Sequence, residues 1–158
     1  MNLKQHFWPG ASALALAVLL SACQSSAISA ADGHDAKAWR QLQTQVGSYQ
    51  DASPFLQQGV MATHLNHLLG AQTTVFLRNL EVAGPLKKEG SVYFITGNRQ
   101  HEGGHNAAAI ALDARTNTMR VWWLQNGQPR VIQDAGAAFR WPHEVNAMIN
   151  SVVAAPAH

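Results

Sequence analysis

The sequence predicts an α+β domain, an antiparallel sheet of about four to five strands with two N-terminal helices and one C-terminal helix packed on it. Three observations predict it. Apolar residues recur every three or four positions as far as Leu69. Between Val92 and Ile132 the period falls to two, and beyond Pro142 it returns to three and four. Within the alternating stretch, Asn126-Gly127 is a tight-hairpin signal.

Taken in order, Trp39, Leu42, Val46 and Tyr49 set out a first helix that begins near Lys37. Ser53-Pro54 reads as the cap and first residue of a second helix. Phe55, Met61, Ala62, Leu65, Leu68 and Leu69 form its stripe, and Gly70 ends it. The stretch from Thr73 to Leu80 fits helix or strand. Gly84-Pro85 and Lys87-Lys88-Glu89-Gly90 read as polar turns. Strands are expected at Val92–Ile95, Ala107–Leu112, Met119–Leu124 and Arg130–Ile132. The adjacent Trp122 and Trp123 must face opposite sides of the sheet. One belongs in the core, and the other under a helix or at a partner surface. Pro142 opens the last helix, with Val145, Met148, Ile149 and Val152 along one side.

The N-terminus carries a different signal. Lys4 is followed by a run from Ala11 to Leu20 in which only Ser12 is not apolar. That is the length of a secretory core segment and too short to span a bilayer. Leu20-Ser21-Ala22-Cys23 resembles the lipobox of bacterial lipoprotein precursors at all four positions. The resemblance implies a signal peptide at 1–22 and lipid on Cys23, through which the protein meets a membrane. Stable anchoring needs two or more acyl chains, which such lipoproteins carry. Gln24 and Ser25 follow, without an Asp in the second place. In the Gram-negative sorting pattern this implies the outer membrane; the periplasmic side is the expected face, which the sorting pattern itself does not decide. Residues 23–36 offer little to bury and read as a flexible tether, leaving 37–158 as a single domain. Cys23 is the one cysteine, so the mature chain can form no internal disulfide.

Composition excludes other classes. Eleven Lys and Arg against nine Asp and Glu, with no basic cluster, give no footprint for nucleic acid. No Gly-x-Ser-x-Gly motif supports serine chemistry, and nothing calls for a cofactor. His64 and His67, three apart on the second helix, are either a metal pair or two exposed histidines.

The residues between the first two strands, Gly97 to Asn106, hold the functional question. His101-Glu102-Gly103-Gly104-His105 matches H-E-x-x-H, in which two histidines hold zinc and the glutamate activates water. That geometry needs a helix of several turns. Here the middle residues are glycines, each costing about 1 kcal/mol in a helix, and strand-like sequence adjoins both sides.

A second likeness fits the setting better. Tyr93 to Met119 resembles the signature region of the inhibitor of vertebrate lysozyme (Ivy) family. Its signature is a Cys-Lys-Pro-His-Asp-Cys loop between two strands, preceded by a Tyr-bearing strand and followed by Gly. Asn98-Arg99-Gln100-His101-Glu102-Gly103 takes the same six places, with Gly104 next. Basic residue, histidine and acid are kept in kind. Both cysteines are absent, and Gln100 replaces the proline. The resemblance implies an inhibitory loop with His101 at its centre and Arg99 and Glu102 as flanks. Gly97, Gly103 and Gly104 would then set the loop's geometry and leave it pliable. Three functions stay open. One is a lipoprotein that occludes a lysozyme-like enzyme: a host lysozyme, a rival's toxin or the cell's own lytic transglycosylase. Another is an accessory envelope lipoprotein without inhibitory activity. The third is a metal-dependent hydrolase using His101, Glu102 and His105.

Overall fold

The computed structural model describes residues 36–102, 104–125 and 127–153. The expected signal peptide, lipobox, tether, Gly103 and Asn126 therefore lie outside the described residues, apart from Ala36. Among the described residues no helix is long and apolar enough to cross a membrane.

The architecture is α+β. Helix α1 covers residues 36–44 and α2 covers Val60–Leu69. A 3-10 turn at Gly70–Gln72 leads into α3 at Thr73–Arg78. The strands are β1 Val82–Ala83, β2 Lys87–Glu89, β3 Val92–Asn98, β4 Ala107–Asp113, β5 Thr118–Gln125 and β6 Gln128–Gln133. Helix α4, His143–Val153, closes the fold. The antiparallel sheet runs β1-β3-β4-β5-β6, and β2 pairs with β3 along the edge that β1 also uses.

Alternation sorts the strands into two faces. Tyr93, Ile95, Ala108, Ile110, Leu112, Met119, Val121 and Trp123 point to the N-terminal helices. There they meet Leu42, Met61, Leu65, Leu69 and Phe76, with Phe76 edge-on to Trp123 at 5.5 Å. Val92, Phe94, Ala109, Ala111, Trp122 and Leu124 take the other face, against Val145, Met148 and Ile149 of α4. The two tryptophans thus divide as the period requires, one in each layer. Trp122 stands opposite Ala109 and Trp123 opposite Ala108, so each large ring is matched by a small neighbour.

Several expectations need correction. Helix α1 stops at residue 44, leaving Val46 and Tyr49 exposed. The cause is Gly47, whose φ of 92° turns the chain so that its N–H bonds to Leu86 O at 2.8 Å. Pro54 does start one helical turn, with Gln58 N–H donating to its carbonyl. Gly59, at φ 86°, ends that turn, and α2 begins only at Val60. The ambiguous segment at Thr73 is helical. Lys87–Glu89, read as a polar turn, is an edge strand whose ladder is made by backbone groups. Its Glu89 carboxylate accepts from His143 N–H at 3.0 Å and so caps α4. His64 and His67 do not act together: His67 is exposed, while His64 Nε2 lies 3.0 Å from Asn117 Oδ1 and Nδ1 lies 3.6 Å from Asp134.

Asp113 ends β4 and is fully buried. It accepts from Arg115 N–H and from Thr116 Oγ1, each at 3.0 Å, and these bonds shape the β4–β5 turn. Burial pushes its carboxyl up. Hydrogen bonds from Ser91, Arg115 and Thr116 and the charge of Arg115 together outweigh that, and the acid is held below its usual range. A lowered folded-state value contributes stability above the unfolded carboxylate range, lost as pH falls through the folded value. Asp113→Asn should therefore destabilise the domain by about 1–3 kcal/mol at neutral pH. In urea titrations the gap between variant and wild type should narrow below about pH 4. A gap that does not change with pH would remove the ionised carboxylate as the cause.

Candidate functional site

The β3–β4 hairpin sets the site. Asn98 opposite Ala107 is the last ladder pair, and Arg99 N–H extends it to Asn106 O at 2.9 Å. Glu102 N–H then donates to Arg99 O at 3.1 Å, and the N–H groups of His105 and Asn106 donate to Glu102 O at 3.1 and 3.0 Å. His101 therefore sits at a turn, exposed, with φ 60°. A positive φ is uncommon for a residue with a side chain, though histidine accepts it more readily than most. Gly104, at φ 93°, supplies another left-handed position among the described residues.

This geometry disposes of the zinc helix. The two histidines of the H-E-x-x-H match stand in a strand-to-strand connection, so no helical face aligns them. Among the described residues no group of three His, Cys, Asp or Glu side chains could hold a metal ion.

Contacts among the described residues brace the loop. Glu102 Oε2 accepts from Asn106 Nδ2 at 2.5 Å and pairs with Arg99 Nη1 at 3.3 Å. The other end of the same guanidinium, Nη2, reaches Asn79 Oδ1 at 3.3 Å. Asn79 follows α3, is 2% exposed, and donates its own Nδ2 to Leu124 O of β5 at 3.0 Å. From the far side, Gly127 N–H donates to His105 O at 3.1 Å, tying the loop to the β5–β6 hairpin. The ion pair alone is partly exposed and contributes at most about 1 kcal/mol. The holding force comes from the backbone bonds and from the buried amides of Asn79 and Asn106, each bond contributing roughly 0.5–1.5 kcal/mol.

Of the residues singled out in the sequence, Arg99 and Glu102 thus meet one another, with His101 between them in sequence and exposed. Gly97, expected to serve the loop, stands inside β3 instead. A Cβ there would come within 2.8 Å of Val82 O and 2.9 Å of Ala83 Cα, so its role is to let β1 approach. Asn79 and Asn106 carried no signal in the sequence. Asn79 lies 20 residues from Arg99 and 45 from Leu124, and only the fold joins them.

Fold and loop together define a small α+β scaffold that presents one hairpin tip at the end of its sheet. A family model described as Inhibitor of vertebrate lysozyme (Ivy) matches residues 60–155, more than half of the chain. The match runs from α2 through α4 and encloses the loop, and the chain belongs to the Ivy family. The family's description is that of an inhibitor. No curated protein and no solved structure matches the chain.

Gly97→Ala should lower stability by about 1–3 kcal/mol, because the atoms it meets are backbone and cannot turn aside. Hydrogen exchange should show the loss concentrated in β1 and the adjoining part of β3. A variant as stable as wild type would mean that β1 can stand off from β3 at no cost.

Proposed function

We propose that this protein is an envelope lipoprotein that inhibits a lysozyme-like, peptidoglycan-cleaving enzyme by entering its cleft with the residue 99–106 loop. One observation carries the reading. At the place of the family's histidine, a full side chain is held out at φ 60° on a braced turn, in a conformation that glycine would adopt without strain. Family membership supports the target class, and the lipobox resemblance supports the anchor.

The chemistry is simple. A lysozyme cleft holds two carboxylates, one poised as an acid and one ionised. An imidazole at the tip of a narrow loop donates to them, and a charge-assisted bond of this kind contributes about 1.5–3 kcal/mol. In the free protein Arg99 and Glu102 spend their charges on each other and on Asn79 and Asn106. His101 is therefore the principal contact, and its neighbours aim it.

The test is inhibition of a panel of muramidases by the soluble domain. His101→Ala should weaken inhibition of a confirmed target by about 1.5–3 kcal/mol, and His105→Ala by less. His101→Gly should abolish the contact while leaving stability within about 1 kcal/mol of wild type, because relief of backbone strain offsets the freer unfolded chain. Equal, negligible losses for both histidines would take His101 out of the mechanism.

Anchoring is read separately. Cys23→Ser should end incorporation of labelled palmitate and keep the protein from lipoprotein maturation. Unchanged labelling would refute the lipobox.

A further inference from the structure

We propose that Asn79, outside the loop and unable to touch a target, is the positioning residue that holds His101 in its inhibitory place. The inference rests on the loop being the inhibitory element.

The amide of Asn79 has two ends, and each is bound to a different part of the protein. Nδ2 donates to Leu124 O, a backbone group of β5, where Leu124 itself is buried. Oδ1 accepts from Arg99 Nη2, the first residue beyond β3. The remaining terminal nitrogen of Arg99 binds Glu102 Oε2, and that oxygen also takes Asn106 Nδ2. Glu102 is the next residue after His101. Sheet, Asn79, Arg99 and Glu102 thus form one chain of bonds that ends beside the exposed imidazole. Asn79 is 2% exposed, so its bonds are shielded from competing water, whereas Glu102 is exposed and its carboxylate alone would be a weak hold.

The chemistry also explains why an amide stands there. The site must offer a donor to a carbonyl and an acceptor to a guanidinium at once. Asn does both at this length, and neither Leu nor Ser does. The family loop described above has a cysteine at each end. Here Asn98 and a glycine hold those places, and the polar chain from Asn79 supplies the restraint. A loop restrained before binding loses less entropy when it docks.

Two substitutions separate positioning from mere stability. Asn79→Ala removes both bonds. Asn79→Asp keeps an oxygen for Arg99 and loses the donor to Leu124 O. Both should lower the melting temperature. For Asn79→Ala, the amides of Glu102, His105 and Asn106 should exchange faster while those of β4 stay protected, and inhibition should weaken roughly ten-fold through faster dissociation. For Asn79→Asp, the backbone N–H of residue 79 still binds Phe76 O at the end of α3 and the side chain still presents an oxygen to Arg99, so loop exchange and inhibition should stay near wild type while the lost bond to Leu124 O lowers the melting temperature. Should Asn79→Ala fail to fold, the aspartate variant decides alone: retained inhibition supports positioning, and inhibition lost with stability overturns it. Full inhibition by a folded Asn79→Ala would also overturn it while leaving the inhibitory loop intact. A wild type that inhibits no muramidase would remove the inhibitory reading, and this assignment with it.

Discussion

Every side chain of β4, from Ala107 to Asp113, is buried, because the strand is covered on both faces and paired along both edges. The rest of the fold answers to that constraint. A strand enclosed in this way needs small residues where large ones must pass, and Ala107, Ala108, Ala109 and Ala111 provide the room. Trp122 and Trp123 fill it from the next strand. The N-terminal helices seal one face and α4 the other, and the β3–β4 connection emerges at the strand end with its base fixed. The loop can be short and well placed because the two strands beneath it are paired along their length and packed between the helices.

Where the family signature has two cysteines, this loop is held by polar bonds. A disulfide across about six residues would take roughly 2 kcal/mol of freedom from the unfolded chain. Here the same stretch is cross-linked by Glu102, Arg99, Asn106 and Asn79, and bonds of this kind contribute about 0.5–1.5 kcal/mol each. The restraint is comparable in size. It differs in kind, since polar bonds open and close where a covalent bridge does not.

Much of this was legible in the sequence. The four long strands follow from alternation, and the stripe of α4 follows from Val145, Met148, Ile149 and Val152 with Pro142 ahead of them. The opposed tryptophans follow from their adjacency alone. What was not legible has a common cause. The edge strands β1 and β2 are polar or very short, and their ladder is made by backbone groups that leave no mark on residue pattern. Val46 and Tyr49 continue a helical period that Gly47 interrupts for a contact with Leu86, far along the chain. In the loop, a histidine between a basic and an acidic residue could be seen, but the buried amide that the basic residue binds could not. Its partners are assembled by α3 and β5, which no local motif connects.

Burial of the sheet on both faces also bears on the order in which the protein can become complete. The layer over Val92, Phe94, Ala109 and Trp122 is supplied by α4, which starts only at His143. A chain emerging from its N-terminus can assemble the first helices, the strands and even the loop before that helix arrives. Until then one broad apolar side of the sheet stands in water. Such a surface is open to association with other chains in the same state. The late helix therefore acts as a seal as well as a structural layer. Residues far from the β3–β4 hairpin tip, such as Val145 and Met148, thus cover apolar surface that would otherwise be open to other chains.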